Sequence, residues 1–225
     1  MNKATPSRES RGSDGWIRVL GVDPAAVGPT GYGIVESDGR CCRTVHYGAL
    51  RLTTNRRKAK DGEVLQGVHA LLCRLIEDYS PDVVAVESIF TALNMRTALR
   101  LAEVHGVVLL AAAQHGLEAY SYAPREVKAS IAGHGHADKR QIQTMVQALL
   151  SMTVTPEPAD AADALAVALC HLQTEQARRR LVLPPQKKLA RAWSVASAAG
   201  TACGTNPVRV PGATTRGLPR ILTTR

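Results

Sequence analysis

The feature that most limits the fold is a change of hydrophobic period early in the chain. WIRVLGV (16–22) is a short, nearly continuous apolar run that suits a buried strand. GYGIVES (31–37) and residues 43–52 read as two further strands, with Asp38-Gly39 between them as a hairpin signal. Tight turns between successive strands predict an antiparallel meander. The period then becomes helical: Val64, Leu65, Val68, Leu71, Leu72, Leu75 and Ile76 share one face of a helix that closes before Pro81. PDVVAVES (81–88) is a buried strand, and residues 94–115 are helical, with Gly116 placed as the C-terminal stop. A short strand follows at 118–122, and Pro124 opens a helix to about 131. The glycine loop GHGH (133–136) leads to a helix over about 138–150, and Pro156 and Pro158 precede a last helix from 160 to about 178. The order β-β-β-α-β-α-β-α-α-α predicts an α/β fold with a mixed five-stranded sheet and helices on both faces.

Charge separates this folded part from the C-terminal stretch. Residues 1–175 hold 18 Lys+Arg against 19 Asp+Glu, a net of −1, whereas residues 176–225 hold 10 Lys+Arg and no acid. The whole +9 surplus therefore sits in the last 50 residues. The 225 residues, 45% hydrophobic, suffice for one core and are too few for two full domains. We expect a disordered N-terminal lead at 1–15, a folded domain at 16–178 and a basic, mostly disordered tail at 179–225. No stretch approaches the roughly 18–20 uncharged apolar residues of a membrane span. The polar N-terminus has no secretory h-region. Five cysteines (Cys41, Cys42, Cys73, Cys170, Cys203) without a C-x-x-C pair argue against a disulfide framework, and a cytoplasmic location is expected.

Acids usually coat surfaces, so an acid at the end of a buried strand needs a reason. Asp23 directly follows RVLGV and Glu87 directly follows VVAV, so neighbouring strands would bring the two carboxylates together. Asp160 and Asp163, in A-D-A-A-D-A-L, are spaced i, i+3 at the start of a helix and share one face. Four converging acids repel one another unless compensated, and divalent cations with oxygen ligands supply the compensation. Two Mg²⁺ ions about 3.5–4 Å apart can activate a water and stabilise the leaving oxygen of a phosphodiester. The chemistry indicated is that of a metal-dependent nuclease. Taken singly, Asp23 is also a common turn residue, Asp160 a helix cap and Asp163 a complement to the helix dipole.

Several motifs in order carry a resemblance. VLGVDP (19–24) with TGYG (30–33), VAVES-IF (84–90), YAPREVK (122–128), GHGHADKRQIQTMV (133–146) and DAADALAVALCH (160–171) resemble the RuvC family of bacterial Holliday junction resolvases. The resemblance implies a ribonuclease-H-like fold and a homodimer that uses Mg²⁺ or Mn²⁺ to nick two strands of like polarity across a four-way DNA junction, in recombination and repair. It implies that Asp23, Glu87, Asp160 and Asp163 are the metal-binding catalytic acids. It also implies that Phe90 enters the opened junction centre, that Lys128 and Lys139 contact DNA, and that RuvA and RuvB are partners. Phe90 is the only Phe in the chain, and an aromatic in a loop can stack on an unpaired base. Arg125 and Arg140 beside the two lysines would extend a phosphate track. The first motif departs from the family pattern: Ala25 stands where Gly is usual, and the turn from Asp23 to Thr30 is one residue longer, with Gly28 and Pro29 inside it.

Other signals point less far. Arg51, Arg56, Arg57, Lys58 and Lys60 form a basic cluster near a strand end, where solvated charge is the simpler reading. His134 and His136 sit in a glycine loop without further ligands nearby, which reads as a turn, and Cys170-His171 reads as core. The rivals are another ribonuclease-H-like nuclease, such as the rRNA-trimming type, and a junction-binding protein with no catalysis. An actin-like ATPase would need two D-x-G turns and a longer chain.

Overall fold

The computed structural model describes residues 15–25, 28–50, 61–88, 95–181 and 222–223. Strands β1 (Ile17–Asp23), β2 (Thr30–Ser37) and β3 (Cys42–Leu50) come first. Helix α1 (Asp61–Tyr79), β4 (Val83–Glu87), α2 (Met95–Gln114) and β5 (Glu118–Tyr122) follow, then α3 (Pro124–Ala132), α4 (Lys139–Leu149) and α5 (Ala159–Leu181). A two-residue strand, β6 (Leu222–Thr223), which the hydrophobic pattern does not announce, pairs with Gly48 and Ala49 at the β3 edge. The sheet order is β5-β4-β1-β2-β3-β6.

The early meander forms as the turn signals predict. β1 pairs antiparallel with β2 from Ile17↔Ser37 to Asp23↔Gly31, and β2 pairs antiparallel with β3. Between them Asp38 Oδ1 accepts from the backbone N–H of Arg40 and of Cys41, both at 2.8 Å, and Gly39 takes a φ of 87°. β4 joins β1 in parallel, and β5 joins β4 in parallel, each fed by a helical crossover.

Alternation along the strands sorts the core onto two faces. Leu20, Val22, Ile34, Val84 and Val86 pack against α1 and α2 through Leu71, Leu72, Val104 and Val108. Val19, Val35, Val83 and Ala85 face the other way, onto α5, with α3 and α4 packed outside it through Val127, Ile131, Ile142 and Val146. α5 is buried on all sides over Ala161, Ala162 and Ala164–Leu172, as a helix in the middle of a layered core must be. Its alanines let its backbone lie unusually close to the sheet.

Two buried polar groups sit at the sheet end opposite Asp23. The Arg18 guanidinium, 4% exposed, binds Glu36 at 2.7 Å and also donates to the Tyr79 carbonyl, while Arg43 reaches the other Glu36 oxygen. The two guanidiniums outweigh the burial that would raise Glu36, and hold its carboxyl below the ordinary range.

Candidate active site

Strand parity decides where the first two acids point. Val19, Gly21 and Asp23 alternate with Leu20 and Val22, so Asp23 lies on the α5 face, and Val83, Ala85 and Glu87 do the same in β4. The parallel register ends at Val22↔Val86, which leaves Asp23 and Glu87 side by side one residue further on. β1 and β4 thus deliver two carboxylates to one end of the sheet, beneath the first turns of α5.

Two glycines bring α5 down to meet them. A Cβ on Gly31 would stand 1.9 Å from the Asp160 carbonyl oxygen, and one on Gly21 would stand 2.2 Å from that of Ala164. Only hydrogen fits at either position, and the helix backbone rests directly on β1 and β2. Asp160 and Asp163 therefore reach the level of Asp23. Carboxylate oxygens of Asp23, Asp160 and Asp163 lie within 4.8 Å of one another. Glu87 is outside that trio but lines the same open cleft of about 210 Å³, together with Asp23, Lys128, Lys139, Ile142 and Asp163.

The electrostatics of the four acids follow from this crowding. Burial, then repulsion from Glu87, Asp163 and Asp160, pushes Asp23 from its ordinary 3.8 up to about 8, against the opposing pull of Lys139. Burial, then Asp163, raises Glu87 from 4.5 to about 7, opposed by Lys128 and Lys139. A site of this kind holds full negative charge near neutrality only if cations enter it. Its donors are all carboxylate oxygens, partly buried and open to solvent on one side, and they fit a hard divalent cation that also takes water or phosphate oxygens.

The predicted DNA-contacting residues fall into three groups. Lys128 and Lys139 both line the cleft, and Lys139 Nζ stands 2.8 Å from Asp163 Oδ2. Burial lowers the pKa of Lys139, but the hydrogen bond and charge of Asp163 outweigh it and the net shift is upward. Arg125 and Arg140 are exposed on α3 and α4 beside the cleft rather than in its wall. Phe90 and the basic cluster Arg51, Arg56, Arg57, Lys58 and Lys60 lie outside the described residues, as do Ala26 and Val27 of the turn after Asp23.

The core reading of Cys170-His171 agrees with the geometry. His134 and His136 stand in the turn between α3 and α4, and among the described residues the metal-capable cluster is the aspartate trio. Cys170 and His171 are buried in α5, where His171 Nδ1 meets the Tyr122 hydroxyl at 2.7 Å and burial, then Arg179, lowers the imidazole to about 4. Sequence reasoning missed the seating of α5 on Gly21 and Gly31, although a glycine inside a strand is a sign of close backbone approach. It also did not foresee the pairing of Lys139 with Asp163, which no local pattern announces.

Comparison with known proteins agrees with this arrangement. Residues 19–171 match the family described as crossover junction endodeoxyribonuclease RuvC. The chain is 44% identical over 157 residues to the RuvC of Caldicellulosiruptor saccharolyticus, covering 69% of this chain and 92% of that protein. To the RuvC of Chloroflexus aggregans it is 44% identical over 164 residues, covering 73% and 98%. The solved structure of Thermus thermophilus RuvC in complex with a Holliday junction substrate superposes with a TM-score of 0.65 at 32% identity, covering 72% of this chain and 96% of that one. With the matched region containing the cleft ends of β1 and β4 and all four acids, the chain belongs to the crossover junction endodeoxyribonuclease RuvC family.

Proposed function

We propose that the protein is a divalent-metal-dependent endonuclease that resolves Holliday junctions by symmetric paired nicks, with Mg²⁺ as the working ion and Mn²⁺ as a substitute. The observation that carries this reading is the meeting of Asp23, Asp160 and Asp163 within 4.8 Å on a cleft that Glu87 also lines. Bound there, a pair of such ions supplies Lewis-acid activation of water and charge stabilisation at a phosphodiester. In this reading Asp23 would serve both ions, Glu87 and Asp160 would hold one each, and Asp163 would complete or orient the set. Lys128 and Lys139 hold the backbone of the strand being cut, and Arg125 and Arg140 extend the phosphate track outward. Phe90 takes the position at the junction centre that the family pattern gives it.

Symmetric cleavage needs two active centres, so the working form is a homodimer. Met95 and Leu99, one turn apart on α2 and 74% and 58% exposed, give it an apolar face to bury. The basic stretch beyond α5, residues 182–225, adds a sequence-independent attraction to DNA to that of the basic groups around the cleft. RuvA and RuvB are the partners this role calls for. Among the described residues no helix is long and apolar enough to cross a membrane, and a cytoplasmic location suits the reaction.

The test is a synthetic mobile four-way junction, incubated with and without Mg²⁺ and mapped for nicks beside duplex, hybrid and structured-RNA controls. Paired nicks at symmetric positions on the junction, dependent on Mg²⁺ and lost in Asp23→Asn with binding retained, are expected. Cleavage of RNA in preference to the junction, or normal nicking by Asp23→Asn, would overturn the proposal.

A further inference from the structure

The ion pair between Lys139 and Asp163 places a cation on a carboxylate that the proposed metal needs. Lys139 Nζ lies 2.8 Å from Asp163 Oδ2, and the Asp163 carboxylate belongs to the trio whose oxygens gather within 4.8 Å. Magnesium binds carboxylate oxygen at about 2.0–2.1 Å and brings two positive charges with it. An ammonium and a divalent ion cannot both sit against the same small group of oxygens without strong repulsion, so one must give way.

The structure says which one moves. Lys139 is the first residue of α4, and its backbone is fixed by a reciprocal cap. Asp138 Oδ1 accepts from the Gln141 N–H at 2.9 Å, and Gln141 Oε1 accepts from the Asp138 N–H at 3.0 Å. Ile142 and Val146 anchor the same helix in the core. The acids are equally fixed by the sheet register and the seating of α5. The mobile part is the lysine side chain, 52% exposed at the cleft mouth, whose flexible stem lets the ammonium leave without any backbone change.

We infer that Lys139 is an internal counterion of the cation-free site, paired with Asp163 until a divalent ion displaces it and frees its ammonium to face the phosphate backbone. The inference rests on the metal-binding reading above and adds an order to it: Lys139 competes with the ion and becomes available to DNA only after the ion is in place. Lys139 is a positioning residue in this scheme, acting on the metal site through Asp163.

The experiment measures Mn²⁺ binding to the full chain without DNA, by calorimetry and by the EPR signal of free Mn²⁺. Lys139→Met removes the competitor and is expected to tighten Mn²⁺ binding about tenfold, about 1.4 kcal/mol. Lys139→Arg keeps the charge and should stay within about twofold of wild type, well under 1 kcal/mol. Melting in EDTA adds a second readout, in which Lys139→Met loses stability relative to wild type and saturating Mn²⁺ closes the gap. Unchanged or weaker Mn²⁺ binding by Lys139→Met, with wild-type binding abolished in Asp23→Asn, overturns the counterion role alone. Wild-type protein that binds no Mn²⁺, or Asp23→Asn that binds it normally, overturns the metal reading and the counterion role with it.

Discussion

Replacing Asp23 by Asn should abolish nicking and yet make the cation-free protein more stable at alkaline pH. In the folded, metal-free protein Asp23 holds its proton to about pH 8, whereas the ordinary value is 3.8. Between those two values the native state binds one proton more than the unfolded chain, so unfolding free energy falls by about 1.4 kcal/mol per pH unit. Stability tied to the neutral carboxyl is thus complete below the unfolded value and is lost progressively as pH rises toward the folded one. The full window sets a ceiling of about 6 kcal/mol, which water entry into the charging site reduces to about 3 kcal/mol. Asn has the same shape and no such penalty. In EDTA at pH 8, Asp23→Asn should therefore be more stable than wild type by about 3 kcal/mol, a rise in Tm of about 6–12 °C for a chain of this size. At pH 4 the difference should nearly vanish. Urea or thermal melts of both proteins at the two pH values give the answer, and the difference between them isolates Asp23 from Glu87, which pulls the same way. Adding Mg²⁺ at pH 8 should stabilise wild type far more than the variant. Equal wild-type and variant stabilities at pH 8 in EDTA would refute the picture of a buried, mutually repelling carboxylate cluster.

Three further outcomes are expected from separate parts of the molecule. Gly31→Ala places a methyl 1.9 Å from the Asp160 carbonyl oxygen, and should cost about 1–3 kcal/mol and most nicking activity, whereas Gly62→Ala, with open space around it in α1, should be neutral or slightly stabilising in the same melts. Met95→Asp with Leu99→Asp should leave a folded monomer by light scattering that no longer makes paired nicks. Deleting residues 182–225, which carry seven Lys and Arg, should flatten the salt dependence of junction affinity by up to about 0.9 in logarithmic slope for each phosphate no longer neutralised.

Much of this was legible in the chain itself. Each strand and helix expected from periodicity between 16 and 178 is present with its order intact, because buried runs and helical faces were bounded by strong breakers such as Asp38-Gly39, Pro81, Gly116 and Pro124. The convergence of Asp23 and Glu87 was legible for the same reason: both end buried strands at equal parity, so pairing of those strands was enough to bring them together. The depth of the site was not. It depends on Gly21 and Gly31 admitting the α5 backbone across about 130 to 143 positions of sequence; a glycine inside a strand signals that some backbone comes close, but not which one. The Lys139–Asp163 pair escaped for a related reason, since a lysine at the start of a helix ordinarily points to solvent.

The two missed features act on the same quantity. Seating α5 on the glycines crowds the acids and raises the free energy of their ionised state, and Lys139 offsets part of that rise in the absence of metal. A looser seat would relieve the repulsion and leave Asp23 an ordinary surface acid, with less reason to bind a divalent ion and more freedom to splay away from it. A cluster without the lysine would hold the ion more tightly but would carry more uncompensated charge whenever the ion was absent. The sequence therefore sets metal affinity with two opposed devices, glycines that concentrate negative charge and a lysine that tempers it. Gly31→Ala and Lys139→Met should accordingly shift Mn²⁺ affinity in opposite directions, the first weakening it and the second strengthening it.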